Sequence, residues 1–150
     1  MNVALLTLPL GLQATFMLVD ELHFHRKRGL PRWERVGHPL DTLSVLACYA
    51  LTLGLAPTPE SLWVYAAASA FSCIFITKDE LVHAKACDAW EQWLHAVLFV
   101  LHPIVLACTA LLWLSGARTL LVAQAALTCA FGLYQVIYWN APWQRPQHGK

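Results

Sequence analysis

Five stretches of the chain, residues 2–19, 40–57, 60–77, 94–115 and 117–139, each hold a nearly unbroken run of apolar residues. A hydrocarbon core about 30 Å thick is crossed by roughly 20 such residues in a helix. Composition agrees: 58% of the 150 residues are hydrophobic, only 13% are charged, and the mean hydropathy is +0.51. A water-soluble domain carries about 25% charged residues. The chain is therefore predicted to be a single all-α integral membrane domain with five transmembrane helices, at about 2–25, 39–57, 59–77, 79–115 and 117–139. The first four are expected to form two parallel hairpins in a four-helix bundle.

The gaps carry the punctuation of helix ends. Gly29 and Pro31 end the first helix, and Gly116 separates the last two. Pro57-Thr58-Pro59-Glu60 reads as a tight turn in which Thr58 caps the next helix and Pro59 opens it. Pro103 lies within the fourth span, where it removes a backbone donor. The first span has no basic n-region and no small-residue cleavage site before Asp20, so it is read as a retained helix.

Charge sets the orientation. Arg26, Lys27, Arg28, Arg32 and Arg35 fall in the first loop, Lys78 and Lys85 in the third, and Arg145 and Lys150 in the tail, leaving Arg118 alone on the other side. Loops rich in Lys and Arg stay in the cytoplasm, which predicts the N-terminus outside and the C-terminus inside, as in a bacterial inner membrane. Trp33, Trp90, Trp93, Trp139 and Trp143 fall near the inner boundary and Trp63 and Trp113 near the outer one, as an aromatic belt requires. One short basic loop gives no footing for nucleic-acid binding. Cys48, Cys73, Cys87, Cys108 and Cys129 form no C-x-x-C pair and read as apolar thiols.

The chemistry lies in the histidines and carboxylates. His23, His25, His38, His83, His95 and His102 gather on the inner side with Asp20, Glu21, Glu34, Asp41, Asp79, Glu80, Asp88 and Glu91. Ionisable groups at membrane depth are costly and point to function. Along one continuous helix, Glu80, His83, Cys87, Glu91, His95 and His102 would share one face. Glu80-x-x-His83 and Glu91-x-x-x-His95 each present a carboxylate and an imidazole together. On the first hairpin, Glu21 and His25 make one face and Asp20 and His23 another. A regular helix cannot turn both faces inward, and Glu21 with His25 is preferred. His38 and Asp41 open the second span. Asp20-Glu21-Leu22 recurs as Asp79-Glu80-Leu81, and His25-x-Lys27 as His83-x-Lys85 with the offset changed by one. Such a repeat would place two ligand sets about an axis along the membrane normal.

Each residue also has a structural reading. Glu80 with Thr77 fits a capping box, and Asp41 suits the first turn of its helix. The basic loop is explained by topology, with Glu34 as its solvated partner. So many imidazoles and carboxylates at one depth exceed what capping requires. The expected ligands are Glu21, His25, His38, Asp41, Glu80, His83, Glu91 and His95, with Asp20, His23, Asp88 and His102 as alternatives or supports. Eight candidate ligands exceed what one ion uses, and mixed oxygen and imidazole donors suit iron, manganese or zinc. Two metal ions are expected, iron being the first choice.

In ligand spacing the chain resembles ferritin-like carboxylate proteins and the histidine-rich membrane hydroxylases and desaturases, although the histidine boxes of the latter are absent. The expected function is a membrane di-iron oxidoreductase acting on a hydrophobic or amphiphilic substrate at the inner interface, with a redox partner. The alternatives are a metal-binding transporter or sensor, and a zinc-dependent lipid hydrolase. Tyr134 and Tyr138 share a face of the fifth span and either line the pocket or anchor at the interface. Reporter fusions after Gly29, Lys85 and Lys150 should give cytoplasmic signals and those after Pro57 and Gly116 external ones; the reverse pattern would overturn the orientation.

Overall fold

The computed structural model describes residues 3–141, with the side chains of Val82 and Ala86 outside the description. Trp143, Arg145 and Lys150, which enter the orientation argument, lie outside the described residues. Among the described residues the structure is all-helical, with 91% helix and no strand. Helix α1 (Val3–Val19) continues through a π-helical turn (Asp20–His25) to Arg28. Helix α2 (Arg32–Gly54) and helix α3 (Pro59–Phe75) follow. A 3₁₀ turn (Ile76–Asp79) leads into the short α4 (Glu80–Ala86), then α5 (Ala89–Leu114) and α6 (Arg118–Asn140).

Four helical stretches are long and apolar enough to cross a membrane: Val3–Arg28, Pro59–Lys85, Ala89–Leu114 and Arg118–Asn140. The expected fifth span, α2, has the length but not the apolarity. Its first turns hold Glu34, Arg35, His38 and Asp41, and only its later part is continuously apolar.

The caps follow local chemistry. The Thr58 hydroxyl accepts from Ser61 N–H and the Ser61 hydroxyl accepts from Thr58 N–H, with Pro59 in the first turn, as read from the sequence. The helix expected over 79–115 is not continuous. Cys87 is extended, and the Asp88 carboxylate accepts from the N–H groups of Trp90 and Glu91, so a new helix begins at Ala89. An Asp at an N-cap satisfies otherwise unpaired donors, and here it restarts the helix rather than ligating.

Packing differs from two self-contained hairpins. Helix α1 packs mainly on α5, while α2 packs on α6 and α3. The contact of α2 with α6 is close because Gly132 lies against Thr42: a Cβ on Gly132 would sit 2.9 Å from Thr42 Cγ2. One turn away, Thr42 donates to the Gln135 side-chain oxygen at 2.8 Å, both residues buried. Small residues that let backbones approach, reinforced by an interhelical hydrogen bond, are how helices associate where lipid supplies no hydrophobic drive. An apolar core of Leu10, Cys48, Tyr49, Tyr65, Leu106 and Leu112 fills the end away from the basic loop. Gly132→Leu should therefore weaken the fold by about 1–3 kcal/mol through overpacking, read as a lower unfolding temperature in detergent, whereas Leu133→Ala on the exposed face should leave it unchanged.

Candidate metal centre

At the basic end of the bundle Asp20, Glu21, His25, Glu34, Asp79, His83, Glu91 and His95 are all buried. The π-turn settles how the first helix contributes. Its wider winding, with i→i+5 bonding, adds one residue to a turn. Asp20, Glu21 and His25 consequently all point inward, and His23 is left exposed against Phe24. The choice between Glu21/His25 and Asp20/His23 is thereby replaced by a third arrangement. The 3₁₀ turn does the opposite on the other half: tighter winding buries Asp79 and leaves Glu80 exposed.

Two groups with no member in common emerge. Asp20, His25, Glu91 and His95 can each place one ligand atom within 4.8 Å of the others, and so can Glu34, His38 and His83. In the first group His95 Nε2 is 3.0 Å from Asp20 Oδ1, and His25 Nε2 lies 3.2 Å from Asp20 Oδ2 and 3.8 Å from Glu91 Oε1. The groups adjoin through ring pairs, His25 with His38 at 4.8 Å and His83 stacked on His95 at 4.0 Å between centroids. Asp79 belongs beside the second group: its Oδ1 lies 3.1 Å from where a Cβ on Gly37 would stand, next to His38. Each group draws an imidazole from one half of the chain and a Glu-x-x-x-His pair from the other.

Several ligand-type atoms are buried without a hydrogen-bond partner among the described residues: His25 Nε2, both ring nitrogens of His83, His95 Nδ1 and Asp79 Oδ1. The large majority of buried side-chain polar atoms normally have one. Glu21 can join His25 and His38 in a further group and also has partners of its own. Its Oε2 is 3.4 Å from His25 Nδ1, and its Oε1 accepts a short hydrogen bond from Trp139 Nε1. That pattern, a carboxylate on the far nitrogen of an imidazole, orients a metal ligand and raises its basicity. Arg28 ties the groups together: its Nη2 is 2.8 Å from Glu34 Oε2 and 2.9 Å from Glu91 Oε1.

Other expected residues lie apart. Glu80 and His23 are exposed. Asp88 is the cap of α5. Asp41 forms an ion pair with Lys78, which also reaches Asp79 at 3.1 Å. His102 is buried with Nε2 2.9 Å from Ser72 Oγ, which is 2.7 Å from Ser44 Oγ. Glu34, expected to be solvated, is 0% exposed. Cys87 can join His83 and His95 in another group; burial, with Glu91 adding to it, pushes its thiol up to about 12. Tyr134 and Tyr138 stack on each other and hold Arg26, Tyr134 accepting from Nη2 at 3.3 Å and Tyr138 lying under the guanidinium at 5.0 Å.

Glu34 and Asp79 were missed as inward groups, yet a signal for Glu34 exists. Trp33-Glu34-x-x-x-His38 recurs as Trp90-Glu91-x-x-x-His95. Joined to the Asp-Glu-Leu repeat, it pairs Asp20 with Asp79, His25 with His83, Glu34 with Glu91 and His38 with His95. The offset changed by one between the two Asp–His spacings is the extra residue of the π-turn. Compared with protein-family models, with curated proteins and with solved structures, the chain shows no match. If the two groups each hold an ion, Glu34→Gln and Glu91→Gln should each lower tightly bound divalent metal by about half, by elemental analysis of purified protein, and Glu80→Gln should leave it unchanged.

Proposed function

We propose that this protein is a membrane metalloenzyme that binds two iron ions at the inner membrane boundary and uses them to oxidise a lipid-soluble substrate. The observation that carries the reading is the set of buried, unpartnered imidazole nitrogens facing carboxylates from both halves of the chain. Charge balance supports it. Among the described residues five carboxylates are buried, Asp20, Glu21, Glu34, Asp79 and Glu91, while the cations that reach them are Arg28 and Lys78. Unmatched negative charge in a low-dielectric interior is expensive, and divalent ions would balance it. Asp20, His25, Glu91 and His95 would hold one ion, and Glu34, His38 and His83, with Asp79 beside them, the other.

Imidazole and carboxylate without thiolate suit iron over softer metals. Carboxylates on both ions tolerate a change of oxidation state, and the surrounding helices keep water from a reactive centre. The balanced reaction class is hydroxylation: a substrate C–H bond, dioxygen, two electrons and two protons give a C–OH bond and one water. The electrons come from a separate redox partner. A ligand cluster confined to one end of the bundle, beside an apolar chamber, favours chemistry over conduction.

Protein purified without oxygen should contain about two irons per chain, with Mössbauer or EPR spectra of a coupled pair that change on exposure to oxygen. Stoichiometric zinc with no spectral response would overturn the reading in favour of a hydrolase. Loosely held metal that exchanges across a vesicle membrane would favour a transporter.

A further inference from the structure

The ligand cluster forms one end of a chamber of about 480 Å³, within the range of small-molecule sites. Away from the cluster its walls are mainly apolar, with Met17 and Leu18 from α1, Leu98 and Phe99 from α5, and Leu127 and Phe131 from α6. The two outer wall helices are held elsewhere, α1 on α5 and α6 on α2. Gly11, Ala14 and Leu18 line the chamber from α1 and are also exposed on the outside of the bundle. Leu127 does the same from α6 and is 65% exposed. Residues that face both a cavity and the surroundings stand at its mouth. Their spacing of three and four on α1 keeps them on one face, and a Cβ on Gly11 would meet nothing within 4 Å.

The depth of this mouth decides what passes through it. Gln13 is seven residues before Asp20, which places it about 10 Å from the ligand level along α1, well within a hydrocarbon core of about 30 Å. Towards the basic end, Arg26 donates to Tyr134 and Trp139 donates to Glu21, joining the same two elements below the mouth. The opening therefore faces lipid tails sideways. Gln124 and Thr128 of α6 also line the chamber, but it is Gln13 that offers a buried acceptor: its Oε1 has no hydrogen-bond partner among the described residues, while its Nε2 reaches Met17 Sδ at 3.9 Å.

We propose that the chamber takes a long-chain lipid alcohol, received laterally from the bilayer between α1 and α6, its hydroxyl donating to Gln13 and its apolar body extending towards the ligand cluster. The proposal names the substrate class of the reading above and rests on it only for what happens to the carbon that reaches the cluster.

The probe is hexadecanol carrying a photoactivatable diazirine on its chain, added to the protein in phosphatidylcholine nanodiscs and mapped by mass spectrometry after irradiation. Label is expected on peptides spanning 11–18 and 124–131. Excess hexadecanol should suppress it, hexadecane should not, and Gln13→Leu should remove that preference. Ala14→Trp or, from the opposite rim, Leu127→Trp should cut labelling at least tenfold with metal content unchanged. Label spread evenly over lipid-facing helices, equal competition by hexadecane in the wild type, or full labelling of both folded Trp variants would overturn the proposal. Metal is measured on the same preparations: chamber labelling without bound metal would reject the metalloenzyme and leave the lipid site standing.

Discussion

Arg28 holds Glu34 and Glu91 together, and that contact carries much of what the basic end of the bundle has to solve. Carboxylates removed from water cost several kcal/mol each unless paired and hydrogen-bonded. Here two of them, from helices in different halves of the chain, share one guanidinium. Arg28 can reach both because its fork offers donors in fixed directions. The remaining buried carboxylates find Trp139, Lys78 and the imidazoles. The geometry of the cluster is thus a charge-matching problem, and the helices are arranged around its solution.

Winding errors are part of that solution. In a regular α-helix Asp20 and His25 would be separated by about 140° around the axis, five steps of about 100° each. The π-turn closes that gap and lets three ionisable residues of its six, Asp20, Glu21 and His25, face inward. On the other half, the 3₁₀ turn before α4 turns Asp79 inward in place of Glu80. Opposite departures from regular helix, at matching places in a repeated sequence, therefore give related but unequal contributions.

Much of the fold was legible because it follows from lengths and caps. The apolar runs mark the long helices, and Thr58-Pro59 marks an exact start. The gathering of His25, His38, His83, Glu91 and His95 was also legible, since each lies four residues from a carboxylate or in register with one. What was not legible depends on helix phase. Spacing arguments assume 3.6 residues per turn, so they placed Glu80 among the ligands, left Asp79 out of the set, and could not admit Asp20 and Glu21 together. Glu34 was assigned to solvent because it sits among arginines, whereas its burial comes from the particular arginine that folds back over it. The pairing of α2 with α6 rests on Gly132 and a Thr42–Gln135 hydrogen bond, features of close approach that no hydropathy profile registers.

That last packing has a consequence for biogenesis. Helix α2 begins with charged and imidazole groups, and its apolar portion alone is a weak insertion signal. Polar residues at a helix end partition poorly into lipid unless a protein neighbour receives them. Its main neighbour, α6, follows it in the chain, after α3 and α5. Until α6 emerges, α2 lacks its main neighbour, so its settled place in the bundle follows the synthesis of α6. Glu34 and His38, the candidate ligands at its start, are then fixed in place only as α6 packs against α2.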